Sequence, residues 1–97
     1  MFDLNPKVSA VITTKDRCAL LKRAVESVFS QTYKNIECIV VDDASNDDTS
    51  DYCQSLNDVK YIRIPVEESR GGNYARNQGV KNALGKYIAF LDDDDCW

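Results

Sequence analysis

The chain has 97 residues, 43% hydrophobic and 29% charged, with 12 Lys and Arg against 16 Asp and Glu, four Cys and no His. That size supports one core, the apolar content excludes disorder, and runs such as Ala10-Val11-Ile12 are far too short for a membrane span. The lack of His excludes Ser-His-Asp and Cys-His catalysis, leaving carboxylates, Lys, Arg or a metal for any chemistry.

The start, Met1 to Pro6, carries no basic leader followed by an apolar stretch, so a cytoplasmic protein is expected. Cys18, Cys38, Cys53 and Cys96 lack a C-x₂₋₄-C spacing and read as free thiols of a reducing compartment. The net charge of −4 is local in origin. Eight acids lie in two clusters, Asp42, Asp43, Asp47, Asp48 and Asp92 to Asp95, and the rest of the chain has 12 basic residues to 8 acidic ones. Such clustering points to cation binding rather than to a generally anionic surface.

In chain order, Val8 to Thr14 is a β-rich run and a first strand. Asp16 can cap the next segment, in which Leu20, Leu21, Ala24, Val25, Val28 and Phe29 form one apolar helical face. Ile36 to Val41 is nearly continuous in apolar residues, as expected of a strand covered on both faces. Residues 44–49 form a turn leading into a short helix to about Leu56. Val59 to Ile64 is a third strand, stopped by Pro65. A loop through Arg70 reaches Gly71-Gly72, a helix runs from about Asn73 to Leu84 with Gly85 as its C-cap, and Lys86 to Leu91 is the fourth strand.

This β-α-β-α-β-α-β order predicts an α/β fold: a parallel four-stranded, Rossmann-like sheet with helices on both faces, forming a single domain over residues 1–97. In such sheets ligands gather beyond the carboxyl ends of the strands. The unusual polar residues sit there: Thr13 to Asp16 after strand one, Asp42-Asp43 after strand two, Asp92 to Asp95 after strand four. Asp92-x-Asp94 suits Mg²⁺ or Mn²⁺, since carboxylates at i and i+2 leave a strand on the same side. A solvated acidic run is the plainer explanation of four Asp in a row, and its position after an apolar strand argues against it. A carboxylate at Asp42-Asp43 can accept from a nucleobase N–H or cap the next helix.

Five motifs in order, Val8 to Thr14, Ser27 to Tyr33, Val41 to Thr49, Ala75 to Gly79 and Gly85 to Asp95, resemble the family 2 glycosyltransferases of GT-A fold. The resemblance implies an inverting transferase that takes a sugar from a nucleotide diphosphate, most often a UDP-sugar, to a polysaccharide, lipopolysaccharide or lipid-linked glycan acceptor. It implies that Thr13 and Thr14, with Asp16 in the same loop, contact the nucleotide, and that of Asp42 and Asp43 the second accepts from the base. Asp92 to Asp94 resembles the DXD motif, with Asp94 the foremost metal ligand, Asp92 a second, and Asp92 or Asp93 near the ribose and diphosphate. Arg70 or Arg76 reaches the phosphates, or Arg76 anchors its helix to the acidic strand ends, while Asn77 and Gly79 serve helix packing.

In this family the base that deprotonates the acceptor lies well downstream of the DXD motif. The expectation is therefore that no catalytic base lies in the chain, that it has no transferase activity alone, and that the full enzyme sits at the inner membrane face. An alternative is an isolated nucleotide-binding or interaction fragment. A dinucleotide-binding domain would need a glycine fingerprint where Thr13 to Asp16 stands, and a phosphoacceptor module would need an Asp where strand three ends in Ile64-Pro65. No nucleic-acid partner is expected. An apolar fourth strand at the sheet edge predicts self-association or marginal stability.

Overall fold

The computed structural model describes residues 6–93; the expected metal ligand Asp94, with Asp95, Cys96 and Trp97, lies outside them. Four strands, β1 (Val8–Thr14), β2 (Ile36–Asp43), β3 (Val59–Ile64) and β4 (Tyr87–Asp92), alternate with three helices, α1 (Cys18–Phe29), α2 (Thr49–Gln54) and α3 (Gly72–Lys81). A 3₁₀ turn at Val66–Glu68, not anticipated from the sequence, follows Pro65. The sheet is parallel throughout, in the order β3-β2-β1-β4. The strand order therefore reverses between β1 and β4, which opens a crevice at their carboxyl ends.

Side-chain alternation builds two cores. Ala10, Ile12, Cys38, Val40 and Leu91 face α1 and α2, meeting the stripe Leu21, Ala24, Val25 and Val28 and, from α2, Cys53. Val11, Ile39, Val41 and Ile64 face the other way, onto Ala75 of α3. Helices thus cover both faces, and Phe29, expected in the buried stripe, is 41% exposed at the end of α1. Burial pushes the Cys38 thiol up to about 12, helped by nearby Cys53, and Cys53 itself up to about 12, helped by Asp42.

Three local expectations are corrected. Asp16 does not cap α1; it takes a left-handed conformation at φ 53°, and the Asp47 carboxylate reaches across from the β2–α2 loop to accept from the Cys18 N–H at 3.0 Å. Gly85 is not a helix C-cap, because α3 ends at Lys81 with Asn82 in ordinary helical geometry. Gly85 is needed for close approach instead, since a Cβ there would stand 2.5 Å from Ser9 Oγ and 2.7 Å from Ser9 N. Asn77 is exposed and packs no helix, whereas Gly79 lets α3 settle on the sheet, where a Cβ would meet Val11 Cγ1 at 2.4 Å.

The amino-terminal end of the sheet is tied by Glu37. It accepts from the Ser9 hydroxyl at 2.5 Å and the Leu84 N–H at 2.6 Å, with Lys60 at 3.6 Å. Burial opposes its charge, but these partners outweigh that cost and hold its carboxyl below the usual range.

Candidate functional site

At the opposite end of the sheet, the loops after β1, β2 and β4 and the start of α3 enclose a cleft of about 450 Å³. The loop after β1 contributes Thr13, Thr14, Lys15, Asp16 and Arg17, β2 contributes Asp43, β4 contributes Asp92 and Asp93, and Gly72 and Ala75 form the α3 wall.

Register explains which carboxylates face which way. Thr13 pairs with Val41 on one side and with Asp92 on the other, so these three side chains share the α3 face. Thr14 pairs with Asp42, one step on, and belongs to the α1 and α2 face. Each acidic doublet is therefore divided by the sheet: Asp43 and Asp92 lie on the α3 side, Asp42 and Asp93 on the other.

The two sides treat their acids differently. Asp42 is fully buried and absent from the cleft wall. Its Oδ1 accepts from the Ser45 N–H at 2.9 Å, and its Oδ2 accepts from the Tyr61 hydroxyl at 2.5 Å and from Arg63 at 3.3 Å. The expectation that Asp42 contacts a nucleotide is corrected on that geometry, because its carboxylate is enclosed and already occupied by three donors. Asp93, also buried, accepts from the Thr14 hydroxyl at 2.9 Å and pairs with Arg17 at 3.1 Å. On the α3 side, Asp92 is more than half exposed, with Arg76 at 3.7 Å. Asp43 Oδ1 is buried and, among the described residues, is the one buried side-chain polar atom without a hydrogen-bond partner. A buried acceptor is rarely left unpaired.

The β1 and β2 loops are laced together. The Asp16 N–H donates to Ser45 Oγ at 2.8 Å, and the Asn46 N–H returns to Asp16 Oδ1 at 2.6 Å. Asp47 accepts from the Thr49 hydroxyl at 2.6 Å and the Thr49 N–H at 3.0 Å, besides the Cys18 N–H. Burial raises its carboxyl, and these donors reverse that and hold it below the ordinary range. Asp16 is therefore engaged through its carboxylate in loop structure and also lines the cleft.

Arg76 sits at the acidic strand end, with a second bond to Asn73 Oδ1 at 3.2 Å. Arg70 is exposed, lies over the Tyr74 ring at 5.3 Å and does not line the cleft. Lys15, placed on the rim by the sequence but given no role, and Arg17, which sequence reasoning missed, are the cleft cations. Their signal was available, since both follow the first strand directly. Among the described residues no group of three His, Cys, Asp or Glu could hold a metal ion; Asp92 offers hard carboxylate oxygens at the cleft, and the expected partner Asp94 lies outside the described residues.

Comparison with known proteins adds to this geometry. The family model described as glycosyl transferase family 2 matches residues 9–97. The UDP-Glc:alpha-D-GlcNAc-diphosphoundecaprenol beta-1,3-glucosyltransferase of Escherichia coli is 46% identical over 90 residues, which is 93% of this chain and 36% of that protein. Among solved structures, Staphylococcus aureus TarS 1-349 in complex with UDP superposes with a TM-score of 0.82 at 27% identity, over 93% of this chain and 28% of its own. A mannosyltransferase from Pyrobaculum calidifontis in complex with GDP-Man and Mn²⁺ gives a TM-score of 0.80 at 25% identity, over 96% of this chain and 29% of its own. The chain thus spans well under half the length of the curated relatives it matches.

Proposed function

The chain belongs to glycosyl transferase family 2, and on that premise we propose that its cleft holds the nucleotide diphosphate of a sugar donor, UDP-sugar foremost, for inverting transfer to a glycan acceptor. The observation that carries this reading is the unpaired, buried Asp43 Oδ1 on the cleft wall. It is an acceptor in want of a donor, and uracil N3–H is one. The UDP-bound relative and the UDP-Glc transferase support uridine, and the GDP-Man complex supports the wider class of nucleotide sugars.

In this reading Thr13 and Thr14 border the nucleotide, Asp43 accepts from the base, and Lys15, Arg17 and Arg76 supply positive charge to the diphosphate. Asp92 and Asp94 are the residues that would hold Mn²⁺ or Mg²⁺. When bound, the ion would neutralise charge developing on the leaving diphosphate. Asp93 keeps Thr14 and Arg17 in place from beneath. In the family the base that deprotonates the acceptor lies downstream of the DXD motif, so we expect this chain alone to transfer no sugar.

The acceptor named for the Escherichia coli relative, a lipid-linked GlcNAc diphosphate, supports a glycan or lipid-linked glycan acceptor and a cytoplasmic enzyme peripheral to the inner membrane face. Among the described residues no helix is long and apolar enough to cross a membrane. Edge strand β4 exposes Tyr87, Ile88 and Phe90, which supports self-association of the chain; a monomer in sedimentation at high concentration would count against it.

Calorimetric titration with UDP, with and without Mn²⁺, tests the reading. Metal-dependent binding that Asp94→Ala weakens greatly is expected. Absence of binding by UDP and every other nucleoside diphosphate would reduce the cleft to a structural feature.

A further inference from the structure

We propose that Tyr61 and Arg63, on β3 and outside the cleft, are positioning residues for the base-accepting carboxylate Asp43, acting through Asp42 and the backbone of Ser45. The inference rests on the nucleotide-binding reading above and names the device that gives this site its base preference.

Asp43 is the last residue of β2, and the backbone after it turns sharply. Ala44 takes φ 58°, a left-handed conformation that a residue with a Cβ adopts only when its surroundings enforce it. The enforcement is visible in the bonds on either side of the turn. Asp42 Oδ1 takes the Ser45 N–H at 2.9 Å, and Arg63 donates to the Ser45 carbonyl at 2.9 Å. Both backbone polar groups of Ser45 are thus fixed from β3 and β2. The Ser45 hydroxyl is fixed in turn by the Asp16 N–H.

The Asp42 carboxylate cannot perform this task unaided, because it is fully buried and its second oxygen needs partners of its own. The Tyr61 hydroxyl at 2.5 Å and the Arg63 guanidinium at 3.3 Å satisfy its other oxygen and lock its rotamer. Burial first, and the bond to Asp42 second, push the Tyr61 phenol up, so it stays protonated and donates. Strand register completes the link, since Asp42 pairs with Arg63 and Asp43 with Ile64. Tyr61 and Arg63 lie two residues apart and project from the same face of β3, the face that carries Asp42 on β2. The Asp43 carboxylate is thus held against the α3 face by a network lying wholly on the opposite face of the sheet. Its direction into the cleft depends on a turn that this network maintains.

The test compares UDP with CDP, because cytosine N3 bears no hydrogen to offer Asp43 while the ribose and diphosphate are identical. Wild-type chain, Tyr61→Phe, Arg63→Ala and Arg63→Lys are titrated with each nucleotide in the presence of Mg²⁺. We expect Tyr61→Phe and Arg63→Ala each to weaken UDP about tenfold, to leave CDP unchanged, and so to erase the wild-type preference for UDP. Arg63→Lys, which keeps a donor for the Ser45 carbonyl, should restore part of that preference. Should Tyr61→Phe fail to fold, Arg63→Ala carries the test, since the Arg63 side chain is 41% exposed. A merely structural role would weaken both nucleotides alike or neither. Variants that keep the full UDP preference would overturn this inference and leave the proposed function standing. A wild-type chain that binds neither nucleotide would overturn both.

Discussion

Asp42 and Asp93 occupy one face of the sheet, Asp43 and Asp92 the other, and neighbours in sequence have opposite environments. Asp42 and Asp93 are buried and surrounded by donors from Tyr61, Arg63, Ser45, Thr14 and Arg17. Asp43 holds an unpaired oxygen at the cleft, and Asp92 is largely exposed. The period of two along a strand therefore turns each doublet into one acid enclosed by donors and one on the α3 face, with Asp93, though enclosed, still bordering the cleft. A repeated acidic residue at a strand end need not mean two ligands.

Substitutions that separate stability from binding would break this division if it is wrong. The largest stability effect is expected for Asp42→Ala, which leaves the Ser45 N–H and the Tyr61 hydroxyl without their acceptor and takes one of the two acceptors of Arg63; a loss of about 3 kcal/mol in urea unfolding is expected. Asp43→Asn should change stability by less than about 0.5 kcal/mol while weakening UDP at least about tenfold. Next in size, Gly79→Ala forces a Cβ into Val11 and Val41 and should cost about 1–3 kcal/mol. Asp93→Ala should cost about 1–2 kcal/mol through the lost Thr14 and Arg17 bonds, against little change for Asp92→Ala, and thermal melts of the pair would show the asymmetry.

The smallest effect concerns pH. Asp47 has its carboxyl lowered in the folded chain, burial notwithstanding, by Thr49 and Cys18 donors. A group lowered on folding adds stability above its unfolded value, near 3.9, and loses it as pH falls through the folded value. Stability should thus decline below about pH 4, and Asp47→Asn should flatten that decline. An unaltered acid limb in the variant would remove Asp47 from the account.

Much of the fold was legible because its signals are local and periodic. Val8 to Thr14 and Val59 to Ile64 match their strands to the residue, and the α1 stripe follows from apolar spacing. The sequence also brings Thr13, Asp43 and Asp92 to one rim through strand order. What it hid were relations between distant loops. The α1 cap comes from Asp47 rather than from neighbouring Asp16, because the β2–α2 loop lies close enough to reach the Cys18 N–H. Gly85 has the composition of a helix cap, yet Ser9 across the sheet is what excludes a Cβ. The role of Asp42 depends on Tyr61 and Arg63, some twenty positions on, and only the β2–β3 register brings the three together.

The most direct measurement follows the carboxyl carbons of Asp42, Asp43, Asp92 and Asp93 by ¹³C NMR as UDP is added with Mg²⁺. The division between faces predicts that Asp43 and Asp92 shift with saturation while Asp42 and Asp93 stay within their unliganded positions. Shifts confined to Asp42 and Asp93, or equal across all four, would contradict it.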